Sequence, residues 1–84
     1  MYYVYVLKSA KDDNLYIGST NDLKRRLHEH NNGIVFSTKS RIPLELIYYE
    51  AYKSEEDARV REHSLKYRGN SRKHLINRLL CSLT

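Results

Sequence analysis

Two short runs rich in tyrosine and β-branched residues stand near the start of the chain, at residues 2–8 and 15–19. This composition is typical of β-strands. Only residues 9–14 separate the runs, and their Ser, Asp and Asn side chains are typical of a turn. Parallel strands need a crossover of about a dozen residues or more, so this connection is too short for parallel pairing. The sequence therefore predicts an antiparallel hairpin, with Gly18 permitting a close backbone approach in its second strand.

A segment with helical periodicity follows the hairpin at residues 21–30. Thr20 or Asn21 can cap its start, and Asp22 is favourable in its first turn. The Asn-Gly pair at residues 32–33 is a suitable stop.

The inward stripe of this predicted helix mixes leucines with basic groups, because the i, i+3, i+4 and i+7 positions are Leu23, Arg26, Leu27 and His30. Such a local conflict is expected at a functional site. The alternative is that Arg26 lies at the edge of the stripe and extends its charged end to water.

The second half of the chain predicts one more strand and two more helices. A polar, basic loop leads to Pro43, and residues 44–52 have strong strand composition. Ser54 opens a pattern that resembles a capping box, which predicts a helix to about residue 67. Gly69 breaks that helix, and the leucines from Leu75 onward predict a third.

The predicted order of elements is ββαβαα. We expect residues 1–84 to form a single α/β (α+β) domain, because a chain of 84 residues is the size of one small domain. Its three-stranded, mainly antiparallel sheet would be packed with helices.

The charge of the chain limits the class of partner. A formal net charge of +5 on so small a domain favours a polyanionic partner, although ordinary solubility charge is the alternative. The single cysteine, Cys81, excludes an intrachain disulfide and suits a reducing compartment. No apolar run approaches the roughly 20 residues of a membrane span. We therefore expect a cytoplasmic protein that does not enter the membrane.

Several motifs, taken in order, resemble the GIY-YIG nuclease domain family. The first family motif appears as Tyr-Val-Tyr at residues 3–5, which keeps the final tyrosine, Tyr5. The second is intact as Tyr-Ile-Gly at residues 16–18. Each motif is short and common, whereas their joint order and spacing are much more specific. The chain resembles the small, stand-alone bacterial members of the family, which lack additional DNA-binding regions.

The resemblance also extends to later positions. It places the catalytic arginine of the family at Arg26, and His30 matches a position held by His or Tyr. It places the metal-binding carboxylate at Glu62 and the late asparagine of the family at Asn77.

This resemblance implies a Mg²⁺- or Mn²⁺-dependent endonuclease that hydrolyses phosphodiester bonds in DNA. Tyr5 or Tyr16 would accept the proton from water, although a free phenol has a pKa of about 10 and needs nearby cations to act as a base. Arg26 would stabilise the charge of the phosphate. Glu62 alone would suffice as metal ligand, because Mg²⁺ keeps several of its waters. His30 would assist proton transfer, and Asn77 would support the site by hydrogen bonds.

Each of these residues also has a structural interpretation. The tyrosines could pack in the sheet, Glu62 could pair with a neighbouring arginine, and His30 or Asn77 could lie on a helix surface. A nucleic-acid-binding module with weak or no catalysis is the alternative function, and a protein-interaction domain is a third. Residues expected near the nucleic-acid backbone are Gly18, Lys24, Arg25, Lys39, Arg41, Lys66 and Arg72.

Overall fold

The computed structural model describes residues 1–68 and 75–77 of the chain. Three strands form one antiparallel sheet in the order β2-β1-β3. The described elements are β1 (Tyr2–Ser9), β2 (Leu15–Thr20), α1 (Leu23–Asn31), a short 3₁₀-helix (Lys39–Arg41), β3 (Leu44–Tyr52) and α2 (Glu55–Tyr67). Residues 75–77 are helical as well. The predicted order and the α+β class are confirmed. The prediction for the rest of the third helix lies outside the described residues.

The antiparallel hairpin of β1 and β2 is confirmed, and its register decides which side chains meet. Tyr5 lies opposite Gly18, and Leu7 lies opposite Tyr16. Because side chains alternate between the faces of a sheet, these four residues share one face. The turn between the strands includes Asp13 in the left-handed region, with φ of 60°, which Asp tolerates better than most residues.

The sheet separates two hydrophobic clusters. On one face Tyr5, Leu7 and Leu44 pack with leucines of α1. On the other face Val4, Val6 and Ile17 pack with Ala58 and Leu65 of α2, and Leu75 joins them. The two helices therefore cover opposite faces, and a side chain from one helix can approach the other only around an edge or an end of the sheet.

The predicted N-terminal cap is confirmed for α2 but not for α1. Ser54 caps α2 as predicted, since its hydroxyl accepts a hydrogen bond from the backbone N–H of Asp57 at 3.3 Å. The prediction for α1 is wrong. Asp22 is the cap and accepts from the backbone N–H of Arg25 at 3.1 Å, because β2 continues through Thr20. The hydroxyl of Thr20 instead accepts from the backbone N–H of Asp22 at 3.1 Å.

A carboxylate on β3 fixes the position of α2. Glu50 accepts hydrogen bonds of 2.5 Å from both Tyr48 and Tyr52, and the Arg61 guanidinium binds its two oxygens at 2.9 and 3.1 Å. Burial raises the pKa of Glu50, but these hydrogen bonds and the charge of Arg61 outweigh burial and bring it below 4.5. The ion pair is therefore formed at neutral pH.

None of the helices in the described part of the chain is long and apolar enough to cross a bilayer.

Replacing Glu50 with Gln should lower the free energy of unfolding at neutral pH by about 1–3 kcal/mol, because Arg61 loses its charged partner. A group whose pKa is lowered by folding stabilises the protein above its ordinary pKa, and this contribution disappears as the pH falls through the folded value. The difference between Glu50→Gln and the native chain should therefore shrink as the pH falls from neutral through the lowered pKa of Glu50. Urea unfolding measures it at each pH. Glu45→Gln, at an exposed position of the same strand, is the control. A difference that does not change with pH would contradict the assignment.

Candidate active site

Tyr5 and Gly18 pack closely in the candidate site. Tyr5 is 2% exposed, and its ring lies over the glycine that pairs with it across the hairpin. A Cβ atom at Gly18 would lie 2.6 Å from the Tyr5 Cζ and closer still to its hydroxyl oxygen. Such distances are far below van der Waals contact, and both groups are held by a strand. The glycine of the second motif is therefore required by the tyrosine of the first.

A chain of buried hydrogen bonds extends from Tyr5 into α1 and the following loop. The Tyr5 hydroxyl lies 2.8 Å from His30 Nε2, and His30 Nδ1 lies 2.7 Å from the Thr38 hydroxyl. His30 and Thr38 are completely buried. Burial lowers the pKa of His30, and the nearby charge of Arg26 lowers it further. A neutral imidazole has one donor and one acceptor nitrogen, so it links the two hydroxyls in a single direction.

Burial also decides the protonation of Tyr5. Desolvation raises its pKa to about 12, even though the Arg26 guanidinium lowers it through hydrogen bonding and charge. Tyr5 therefore keeps its proton at neutral pH.

Tyr16 occupies a different environment, because β2 is an edge strand and the residue is only half-buried. Its ring centroid lies 5.1 Å from that of His30 and 6.5 Å from that of Tyr5. The Lys66 ammonium lies 6.0 Å from the Tyr16 ring centroid. The two motif tyrosines therefore meet at His30, with one ring enclosed and the other open to solvent.

Arg26 projects from α1 into a cleft at the end of β2. The cleft has a volume of about 350 Å³, and the residues that line it include Ser19, Asn21, Arg25 and Arg26. Arg26 Nη1 pairs with Glu29 at 3.1 Å, and about a third of the Arg26 side chain is exposed. A guanidinium has several N–H donors, so this pair leaves others for an anion in the cleft.

Glu62 belongs to α2, on the opposite face of the sheet, yet its side chain reaches the end of β2. Its Oε1 accepts a hydrogen bond of 2.6 Å from Ser19, which lines the same cleft as Arg26. The negative charge of Glu62 also contributes to the raised pKa of Tyr5. The structure thus brings Tyr5, Tyr16, Arg26, His30 and Glu62 to one region around β2.

The cation beside Glu62 is a lysine. Lys66 Nζ lies 2.7 Å from Glu62 Oε2, one helical turn away, where the sequence indicated an arginine or a metal ion. The Glu62 side chain is 20% exposed. The described residues contain no cluster of three or more His, Cys, Asp or Glu side chains able to hold a metal ion. A metal site here would rest on one carboxylate, which suits a hard, largely hydrated cation such as Mg²⁺.

The remaining predicted residues are exposed, have local partners or lie outside the described residues. Asn77 is exposed in the helical segment 75–77, and Arg72 lies outside the described residues. Arg41 Nε pairs with Asp12 at 2.8 Å and so joins the hairpin turn to the loop before β3. Lys39 lies 4.8 Å from the centroid of the exposed Phe36 ring. Lys24 and Arg25 are exposed on α1.

Two residues of the region were not identified from the sequence. Thr38 ends the hydrogen-bond chain from Tyr5, and Ser19 connects Glu62 to the cleft. Ser19 directly follows the second motif, so its position on the edge strand was an available signal. Thr38 belongs to an irregular loop and carried no pattern that could identify it.

Comparison with known proteins shows which family and which solved structure the chain is similar to. The family model described as the GIY-YIG catalytic domain matches residues 1–76. A UPF0213 protein of Clostridium perfringens is 43% identical over 67 residues, which are 79% of this chain and 71% of that protein. A UPF0213 protein of Limosilactobacillus reuteri is 41% identical over 75 residues, with 86% and 77% covered. The solution NMR structure of a UPF0213 protein from Bacillus halodurans has a TM-score of 0.58 and 33% identity, with 94% of this chain and 85% of that chain covered.

Gly18→Ala should destabilise the fold by about 1–3 kcal/mol, because the added methyl group collides with the Tyr5 ring. The collision requires the ring, so the same change should have a much smaller effect in a Tyr5→Leu background. Chemical unfolding of the native chain, both single variants and the double variant measures this coupling. Additive effects would show that the collision is not the cause.

NMR titration of the His30 ring should give a pKa below 6.5 in the native chain. Arg26→Met should raise this pKa by removing a positive charge, whereas Glu29→Gln should lower it further by removing a negative charge. Because folding lowers the pKa of His30, its contribution to stability is present above the ordinary pKa and decreases as the pH falls below it. Shifts in the same direction for both variants would contradict an electrostatic origin.

Proposed function

This chain belongs to the GIY-YIG family of nuclease-type catalytic domains, and we propose that it is a metal-dependent endonuclease that hydrolyses phosphodiester bonds in DNA. One observation supports the proposal above the others. Arg26 from one face of the sheet and Glu62 from the other both lie near the end of β2, where Glu62 accepts a hydrogen bond from Ser19 and Ser19 lines the cleft that Arg26 also lines. Phosphodiester hydrolysis needs a proton acceptor, a cationic phosphate site and a carboxylate for a metal ion, and Tyr16, Arg26 and Glu62 supply them.

The two tyrosines have different proposed roles. Tyr5 is buried, with its pKa raised to about 12, so it holds its proton and fixes the positions of His30 and the Tyr16 ring. Tyr16 is half-buried on the edge strand and is the phenol that an attacking water can reach. We therefore assign proton acceptance from water to Tyr16, whose ring centroid lies 6.0 Å from the Lys66 ammonium.

Arg26 is proposed to bind the phosphate that is cut. Its guanidinium lies in the cleft and retains N–H donors beyond the ion pair with Glu29. Charge accumulates on the phosphate oxygens in the transition state, and a positioned guanidinium stabilises that charge more strongly than it stabilises the ground state. Arg25, exposed at the same cleft, adds a second positive charge for the neighbouring backbone.

Glu62 is proposed to hold Mg²⁺ or Mn²⁺ through one carboxylate. Its oxygens contact Ser19 and Lys66 but retain lone pairs, and its partial exposure leaves room for coordinated water. When bound, the ion would neutralise charge on the phosphate and assist departure of the leaving oxygen. Lys66 would then share the carboxylate with the ion or release it.

His30 and Asn77 have supporting roles in the proposal. His30 is neutral and completely buried, so it positions Tyr5 and Tyr16 and does not touch the substrate directly. Asn77 is exposed near the end of the described chain, where it is available to the backbone of the DNA.

A catalytically weak nucleic-acid-binding module is the second candidate. The observation in its favour is the short Lys66–Glu62 pair, in which an ammonium already occupies the cation position beside the carboxylate. Such a module would bind DNA in a salt-sensitive manner without cutting it, and binding would survive the loss of Glu62.

Cleavage assays on branched, nicked and plain DNA with Mg²⁺ or Mn²⁺ test the proposal. Arg26→Met and Glu62→Gln should each reduce the cleavage rate by about 100-fold or more, because each removes a charge that acts on the phosphate. Glu45→Gln, an exposed change of the same kind on β3, should cut at the native rate. Undiminished cleavage by either site variant would exclude the assigned role. Salt-sensitive binding with no cleavage by the native chain would establish the second candidate.

A further inference from the structure

A second concavity lies beside the arginine cleft, on the α1 face of the sheet. Its volume is about 530 Å³, and apolar or aromatic side chains form most of its lining: Tyr3, Leu23, Leu27, Leu46 and Tyr49, with Asn21, Asp22 and Lys24 at the same site. We call this concavity the tyrosine groove. None of the steps proposed for phosphodiester hydrolysis uses it.

Tyr49 makes the tyrosine groove unusual, because 53% of this large side chain is exposed on the middle of a strand. The Tyr3 ring packs edge-on against it, with ring centroids 6.1 Å apart and ring planes at 62°. Edge-on packing holds the two rings without covering the face of either one completely. Tyr49 also lies directly opposite Tyr5 in the sheet, so it is one strand away from the candidate active site.

The tyrosine groove is continuous with the arginine cleft. Asn21, at the junction of β2 and α1, lines both of them. Arg25 belongs to the cleft and Lys24 to the groove, so positive charge extends from one to the other. The carboxylate of Asp22 is already used to cap α1. Asp22 keeps its negative charge, as does Glu55 in the cleft, but Lys24, Arg25, Arg26 and Arg59 outnumber them, so a polyanion that spans the cleft and the groove meets a net positive charge.

The part of the chain that the structure describes offers no cover for the groove. α1 already forms one of its walls through Leu23 and Leu27. Leu75, beyond α2, packs in the cluster on the opposite face of the sheet. An occupant from outside the described chain needs an apolar, flat surface for the rings and a negative charge for Lys24.

We propose that the tyrosine groove holds an unpaired base of the DNA strand whose phosphate lies in the arginine cleft. This inference rests on the proposed function. Every base has a flat face that stacks on aromatic rings, whereas the backbone between successive bases carries the negative charge. Bases inside a duplex are already stacked on their neighbours. The groove would therefore favour DNA with an unpaired nucleotide next to the phosphate that is cut.

Binding measured without divalent ions tests the groove independently of catalysis. Fluorescence anisotropy gives the affinity of the full chain for a labelled single strand and for the matching blunt duplex. Tyr49→Ala should weaken binding of the single strand by about 5- to 100-fold and change duplex binding little. Tyr49→Phe, which keeps the ring, should bind as the native chain does. Tyr67→Ala removes a tyrosine of α2 that is still more exposed, at 72%, and serves as the control.

A stacking reporter separates this role from a structural one. A 2-aminopurine base in the single strand should lose fluorescence on binding to the native chain and to Tyr49→Phe, but not to Tyr49→Ala. Equal losses of affinity for single strand and duplex, or no loss, would overturn the inference. So would a Tyr49-dependent dimer in sedimentation, because the groove would then be a contact between copies of the chain.

The two proposals fail in different ways. If the chain binds single strands through Tyr49 but does not cut DNA, the groove proposal is supported and the nuclease proposal is contradicted. If the native chain cuts DNA and the Tyr49→Ala variant binds both substrates normally, the nuclease proposal is supported and the groove proposal is contradicted.

Discussion

The packing of the Tyr5 ring on Gly18 is the contact on which the candidate site depends. It occurs between directly paired positions of adjacent strands, so neither group can move without disturbing the hairpin. The ring in turn places its hydroxyl on His30, and His30 extends the contact to Thr38. A sheet, a helix and a loop are thereby joined through one buried phenol, whose raised pKa preserves it as a neutral hydrogen-bonding group.

The open edge of β2 explains how the two faces of the sheet form one site. Tyr16 points to the α1 face and Ser19 to the α2 face, which follows from the alternation of side chains along a strand. Arg26 and Glu62 come from helices that the sheet separates, and Ser19 connects them near the end of the strand, because it lines the Arg26 cleft and donates a hydrogen bond to Glu62. A central strand such as β1 could not offer this position, because both of its edges are paired. The same junction leads through Asn21 into the tyrosine groove.

The charged side chains around the sheet serve two purposes that their environment distinguishes. Glu50 is enclosed by Arg61 and two tyrosine hydroxyls, and this set of contacts holds α2 on β3. Glu62 directly follows Arg61 on α2, but its partners are a lysine and a serine. Glu50 on β3 and Glu62 on α2 thus differ in environment, because structural partners enclose Glu50 whereas Glu62 is paired with a lysine and a serine at the border with solvent.

The sequence by itself determined the order of elements, the hairpin, the Ser54 cap and the family, because these depend on local composition and on the spacing of short motifs. It also identified candidate site residues, namely Tyr5, Tyr16, Arg26, His30 and Glu62, but it did not show which of the two tyrosines is buried. The tertiary structure alone decided that Tyr5 is enclosed, that Asp22 caps α1, that Lys66 pairs with Glu62 and that Tyr49 opens onto a groove. Burial and long-range pairing arise from how the helices pack on the sheet, and no local pattern along the chain encodes that packing.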